Sequence, residues 1–226
     1  ANDIIDTASA TTDAITQGAL ATATVAMATD TPGVKSTATV GFTTAGRIKT
    51  GGAIQLVFSE GETFDANPTV AFTPNTVTGT AVWTAGTSTL VITTTGTDIN
   101  EATGVSFTLT DCRSAPSVVG ASTATVTTYA ASGVTANDII DTASATTDAI
   151  TQGALGGSLT FDTATDTPGR QSTATVGFTT AGRVLSGGTI QLVFTSNIYA
   201  AFGWRMAANP TISFTPGSVT GVGTWT

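Results

Sequence analysis

Residues 1–20, ANDIIDTASATTDAITQGAL, return without a single change as residues 136–155. A repeat of this length does not arise by chance, and it sets a period of 135 residues because residue 136 takes the position of residue 1. Internal repeats decide the architecture before any local pattern does, since each repeat corresponds to one structural unit. The chain is therefore predicted to be a tandem array.

The composition indicates what kind of unit is repeated. Threonine occupies 53 of the 226 positions, whereas charged residues make up only 10%, far below the roughly 25% usual in soluble domains. Threonine is β-branched and favours pleated strands, and 25 glycines and 7 prolines are available for turns. This composition predicts an all-β protein.

Short segments of alternating polarity follow one another along the first repeat. In residues 36–44, Ala38, Val40 and Phe42 fall on one face and threonines on the other, which is typical of an antiparallel strand buried on one side. Seven further segments share this character and contain Val25; Ile54, Leu56 and Phe58; Val70 and Phe72; Trp83; Leu90 and Ile92; Val105, Phe107 and Leu109; and residues 124–129. Strands at roughly ten-residue spacing predict a β-sandwich or barrel.

The two copies test this assignment of faces. Residues 29–58 and 165–194 match at 24 of 30 positions, and every predicted inward residue of this stretch is retained. The predicted organisation is an interdomain joint at residues 1–20 with a short strand around Asp3–Thr7, a first repeat at 21–135, a second joint at 136–155 and a second repeat at 156–226. The second repeat lacks a counterpart of residues 85–135. We therefore expect an incomplete second domain, whose open edges neighbouring domains or chains complete by strand addition.

No catalytic arrangement is readable. The chain has no histidine and one cysteine, Cys112, so Ser-His-Asp and Cys-His catalysis and an internal disulfide are excluded. Cys112 is either a buried free thiol or a bridge to another chain.

The seven basic residues are scattered and the net charge is −8, which argues against nucleic acid as a partner. With no long apolar run, no membrane span is expected, and we expect neither an enzyme nor a cofactor.

Two kinds of ligand or modification site are candidates. Asp98, Asn100 and Glu101 place oxygen ligands close together, but they lack the spacing of an established calcium loop, so calcium is a weak candidate. Outward threonines on the predicted strands are candidates for O-glycosylation, although β-propensity alone also accounts for them. The candidate threonines are Thr37, Thr39, Thr43, Thr173, Thr175 and Thr179.

One loop differs between the repeats in length and character. Residues 59–66 are predicted to form an eight-residue loop, whereas residues 195–208 are predicted to form a fourteen-residue loop that contains Tyr199, Phe202, Trp204 and Met206. The longer loop either folds onto its own domain or anchors a partner, since aromatic residues concentrate binding energy at interfaces. The apolar pairs in the two joints are the other predicted assembly contacts. They are Ile4, Ile5, Ile139 and Ile140.

The stretch TPGVKSTATVGFTTAGRIKTGGAIQLVF, followed by NPTVAFTP and GVSFTLTD, resembles threonine-rich immunoglobulin-like β-sandwich repeats of microbial cell-surface and extracellular filament proteins. The resemblance implies tandem immunoglobulin-like sandwiches, a structural or adhesive role, surface glycans and no catalytic residues. The expected function is a structural subunit of an extracellular fibril, appendage or surface layer that polymerises with copies of itself. The alternative is a cell-surface adhesin or carbohydrate-binding module that uses the aromatic loop at residues 195–208.

Overall fold

The computed structural model describes residues 8–194, 205–215, 217–224 and 226. It confirms the predicted all-β class, since the described residues form thirteen strands and two single-turn 3-10 helices, Ala85–Thr87 and Ala136–Asp138. The strands are β1 (Gly18–Ala19), β2 (Ala21–Met27), β3 (Lys35–Thr43), β4 (Ala53–Phe58), β5 (Thr63–Phe64), β6 (Val70–Thr73), β7 (Val77–Thr84), β8 (Thr89–Gly96), β9 (Gly104–Arg113), β10 (Thr123–Tyr129), β11 (Ile139–Thr146), β12 (Gly156–Thr163) and β13 (Ala174–Thr179).

Strands β1 to β11 form two sheets, which we call together the two-sheet unit. The six-stranded sheet has the order β1-β11-β10-β4-β8-β7, and the five-stranded sheet has the order β2-β3-β9-β5, with β6 also paired to β9. Neighbouring strands are antiparallel, except that β1 runs parallel to β11. Both sheets are thus assembled from strands far apart in the sequence.

The inward faces of the two sheets share one hydrophobic core. In β3 the predicted inward residues Ala38, Val40 and Phe42 are all buried, which confirms the register assigned from the alternating pattern. Aromatic rings connect the two sheets, because Phe64 of β5 lies 5.5 Å from Phe58 and 5.1 Å from Trp83, measured between ring centroids. Each fully buried large apolar side chain contributes about 1.5–3 kcal/mol relative to exposure.

Local structure is reproduced in the second repeat. Val25 lies opposite Val40 in the β2–β3 pair, and the equivalent Phe161 lies opposite Val176 in the β12–β13 pair. The turns that connect the two strands of each pair also match, since Gly33 and Gly169 have φ angles of 67° and 75°, a conformation that favours glycine. The predicted turn and hairpin are therefore specified by local sequence.

The rest of the second repeat differs from the first. The chain divides into two compact units, Ala1–Leu185 and Ser186–Thr226, and the described residues of the second unit contain no strand. Ile190 and Leu192, which we expected to face inward, are each 44% exposed, whereas their equivalents Ile54 and Leu56 are fully buried. In the first repeat, β4 lies between β10 and β8 in the six-stranded sheet, whereas no strand is assigned at Ile190 and Leu192. The burial of Ile54 and Leu56 thus accompanies the assembled sheet and is not specified by the local sequence alone.

Residues 136–155, the predicted second joint, contain strand β11 (Ile139–Thr146) of the six-stranded sheet. Strand β11 pairs with β10 along its length and buries Ala145 opposite Ala124. The role of this segment as an interdomain joint stays a prediction. The corresponding strand predicted around Asp3–Thr7 lies outside the described residues, and the remaining domain boundaries stay predictions.

Candidate functional site

The identical segments at residues 1–20 and 136–155, here called the first and second connectors, are the candidate site. They are predicted assembly elements, and the structure gives the same amino-acid sequence two different environments. The second connector is described throughout, and the first is described from residue 8 onward. Comparison of the two shows what this sequence can bind.

The second connector docks first through β11. Val126, Thr125 and Ala124 of β10 pair in antiparallel register with Ala143, Ser144 and Ala145 of β11. Ala145 is 1% exposed and belongs to the hydrophobic core, and Ala143 packs against that core. The alternation of buried Ala145 with exposed Ser144 lets β11 bury one face and solvate the other.

The residues that follow β11 extend the docked segment. Thr147 donates its backbone N–H to the carbonyl of Ser122 (2.9 Å), and its hydroxyl accepts the N–H of Ser122 (3.2 Å). Ile150 exchanges two backbone hydrogen bonds with Val119, at 2.9 and 3.2 Å. Ile150 is only 1% exposed, so its side chain is out of water where its backbone pairs with the loop before β10.

A buried carboxylate fixes β11 to the turn that follows β3. Asp141 is 1% exposed, and its Oδ2 accepts backbone N–H groups from Ala45 (3.0 Å) and Gly46 (2.9 Å). Its own N–H donates to the hydroxyl of Thr128 on β10 (3.1 Å). A buried carboxylate costs free energy unless it is hydrogen-bonded. The two amides satisfy Oδ2, whereas Oδ1 is buried and has no hydrogen-bond partner among the described residues.

The first connector uses its opposite end. Gly18 and Ala19 pair in parallel with Asp141 and Thr142 of β11, and Leu20 is buried in the core at 6% exposure. A Cβ atom on Gly18 would lie 2.3 Å from Oδ1 of Asp141, which explains why glycine is needed at this approach. The C-terminal end of one connector therefore lies against the N-terminal half of the other.

The remaining described part of the first connector makes a clear contrast. Residues 8–17 are exposed and have no regular secondary structure. Ile15 is 98% exposed, although it is the equivalent of buried Ile150. Conversely, Leu155 is 57% exposed, although it is the equivalent of buried Leu20. Residues 18–20 of the first connector and residues 139–150 of the second are thus docked, whereas residues 8–17 of the first and Leu155 of the second are exposed.

The structure places the predicted assembly contacts unevenly. Ile139 lies opposite Tyr129 in the β10–β11 pair, and Ile140 packs against the core. Met206 is half-buried. The other predicted contacts, Ile4, Ile5, Tyr199, Phe202 and Trp204, lie outside the described residues.

The weak calcium candidates have other partners. The carboxylate of Asp98 forms an ion pair with Arg47 and accepts the N–H of Thr50 (2.7 Å), and these bonds hold its pKa below the usual range. The carbonyl of Asn100 accepts the hydroxyl of Thr44 (2.7 Å), and Glu101 is exposed. Among the residues that the structure describes, no three His, Cys, Asp or Glu side chains come together as a metal-binding group.

The predicted O-glycosylation threonines lie on strands or beside them and are accessible to different degrees. Thr39, Thr173, Thr175 and Thr179 are exposed, whereas Thr37 and Thr43 are half-buried. The four exposed threonines are therefore more accessible to a glycan than Thr37 and Thr43 are.

Cys112 is a free, fully buried thiol. Its Sγ lies 3.3 Å from the Sδ of Met27, and burial, together with the charge of Glu62, raises its pKa far above the ordinary value. Because the thiolate is the reactive species, this cysteine has the character of a core residue.

Sequence inspection missed Ala145, Ile150, Asp141 and Gly18 as docking residues. The available signal was the identity of the two connectors, since unchanged sequence in two places indicates a shared structural requirement.

Comparison with protein-family models, with curated proteins and with solved structures gave no match. No helix in the described part of the chain is long and apolar enough to cross a membrane.

Proposed function

We propose that this chain is a structural subunit of an extracellular fibril, appendage or surface layer, built from tandem immunoglobulin-like β-sandwiches. The observation that carries the proposal is the position of β11. By the sequence period, residues 139–146 belong to the start of the second repeat, yet they pair with β10 in the sheet of the first. A strand that crosses a repeat boundary in this way joins neighbouring units without a flexible linker.

This arrangement suits a load-bearing array. Each unit would be completed by the connector that begins the next repeat, and each connector would lie against the connector that follows it, as β1 lies against β11. Repeat proteins gain stability from such nearest-neighbour interfaces. A connector bound by a full strand ladder resists separation because several backbone hydrogen bonds must break together.

The surface chemistry supports the same role. Charged residues are 10% of the chain, and outward hydroxyls such as those of Thr39 and Thr175 are exposed. Such a surface depends little on ionic strength, since few charges are available to be screened. It also offers attachment points for O-linked glycans, which we propose as modifications.

Electron microscopy of the native material and of a recombinant array of four or more repeats tests the proposal. We expect unbranched filaments or ordered sheets, and we expect carbohydrate on tryptic peptides that contain Thr173 and Thr175. Monodisperse monomers that bind a glycan array, with binding lost in Trp204→Ala, would instead support the adhesin and overturn the structural role.

A further inference from the structure

We infer that residues 8–15 of the first connector form a donor strand for a second copy of this chain, at the edge of β10 that β11 occupies. This inference deepens the proposed function and rests on it for its biological setting. Its physical basis is independent of that setting, because it follows from one sequence in two environments.

The donor segment has the same amino-acid sequence as the segment that occupies the edge of β10. Residues 8–15 equal residues 143–150 at every position. Each backbone pairing that Ala143, Ser144 and Ala145 make with β10 is therefore open to Ala8, Ser9 and Ala10. No side chain needs to be accommodated that the site does not already hold.

Burial of side chains that are now exposed would drive the docking of the donor segment. Ala10, Thr12 and Ile15 are exposed, whereas their equivalents Ala145, Thr147 and Ile150 are at most 3% exposed. Docking would remove the Ile15 side chain from water and satisfy backbone groups in a ladder, as in other strand-addition complexes. The donor segment would thus be stabilised in the acceptor as the second connector is stabilised in its own chain.

The edge of β10 that receives the donor segment lies on a second copy of the chain. Within one molecule the edge of β10 is filled by β11, which follows β10 after a short loop and so has a high effective concentration. Residues 8–15 therefore find a vacant edge only on another copy whose β11 has left. Such an exchange of identical elements is a low-cost route to self-association, because the incoming strand makes the same interactions as the strand that it replaces.

The test separates donor from acceptor. The acceptor is the full chain with Ala145→Asp and Ile150→Asp, which weaken its β11, and with Ala10→Asp and Ile15→Asp, which disable its own donor. The donor is the full wild-type chain, and the matched control donor carries Ala10→Asp and Ile15→Asp only. Both control substitutions fall on exposed residues, so the control should keep the fold of the wild type.

Sedimentation velocity of the mixtures should show a complex of two chains, doubling the mass, with the wild-type donor and single chains with the control donor. If the acceptor is unfolded alone, addition of the wild-type donor should restore the native fluorescence of buried Trp83. Equal behaviour of the two donors in both measurements would overturn the inference.

A disulfide checks the register. Since Ser144 lies opposite Thr125, a donor with Ser9→Cys should crosslink to an acceptor with Thr125→Cys, as Ser144→Cys and Thr125→Cys should crosslink within one chain. Absence of the intermolecular bond, when the intramolecular bond forms, would contradict the inference. The outcome is distinct from that of the filament experiment, because exchange without filaments removes only the proposed function, and filaments without exchange remove only this inference.

Discussion

Ile15 and Ile150 occupy the same position of two identical twenty-residue segments, yet one side chain is 98% exposed and the other 1% exposed. The difference lies entirely in what each segment meets. Ile150 lies beside Val119, with which it exchanges two backbone hydrogen bonds, whereas residues 8–17 are exposed to solvent. The pair therefore provides an internal control, in which context changes and local sequence does not.

Truncation of this pair should give very different stabilities. Ile150→Ala should lower the free energy of unfolding by about 2–5 kcal/mol, since a buried isoleucine leaves a cavity. Ile15→Ala should change it by less than about 0.5 kcal/mol, as is usual for exposed positions. Urea denaturation of dilute protein measures both, and a similar loss in the two variants would show that residue 15 is docked in solution.

Much of the two-sheet unit is predictable because its signal is local. The alternation of Ala38, Val40 and Phe42 with threonines marks β3, and the glycine turns set the hairpin that returns in the second repeat. In these segments the sequence period matches the pleat of the strand. The predicted inward residues of the first repeat are accordingly buried, except Val70, which is half-buried against the core.

The sequence predicts only the start of strand β11, because the short strand expected around Asp3–Thr7 corresponds to residues 138–142. The continuation of β11 to Thr146 and its place beside β10 were not predicted. Asp141 interrupts its apolar pattern, and the amides that bind this carboxylate come from residues 95 and 96 positions away. A partner so distant in the sequence cannot be predicted from the residues around Asp141. The different exposure of the two connectors cannot be predicted from local sequence either, because the two segments are identical.

Asp141 should contribute to the stability of the folded chain through the two backbone N–H groups that it binds. Asp141→Ala removes the acceptor of two backbone N–H groups, those of exposed Ala45 and half-buried Gly46, and hydrogen bonds to charged groups contribute about 1.5–3 kcal/mol each. We expect a loss of about 3 kcal/mol in the free energy of unfolding. Asp148→Ala is the matched control, because Asp148 lies on the same connector and is exposed.

The same urea titrations decide this prediction. A control that loses as much stability as Asp141→Ala would mean that the loss is a general effect of removing negative charge. A neutral Asp141→Ala variant would mean that water replaces the carboxylate between β11 and the turn. Either result would remove Asp141 as the residue that fixes β11.

Cys112 should be unreactive until the two-sheet unit opens. Its thiol is fully buried, and its raised pKa leaves almost no thiolate at neutral pH. An aromatic disulfide reagent should label the native chain at the rate of unfolding and the urea-unfolded chain at once. As a control, Ser144→Cys in a Cys112→Ser background should react rapidly, because Ser144 is exposed; rapid labelling of native Cys112 would contradict its burial.

Glu62 should make stability fall as the pH rises. Its side chain is 3% exposed and its Oε2 has no hydrogen-bond partner among the described residues. Burial raises its pKa above the ordinary value of about 4.3, and the negative charge of Glu60 adds to this effect. The folded state therefore binds the proton more tightly than the unfolded state does, so stability is full below the ordinary pKa and is lost as the pH rises through the folded value.

Glu62→Gln should remove this loss, because a neutral amide costs less to bury than a carboxylate. The variant and the wild type should have similar melting temperatures at pH 3, and the variant should melt higher at pH 7. Glu101→Gln, at an exposed position, should follow the wild type at both pH values and so exclude an effect of net charge. A constant difference between Glu62→Gln and the wild type from pH 3 to pH 7 would show that the carboxyl group does not titrate differently in the folded chain.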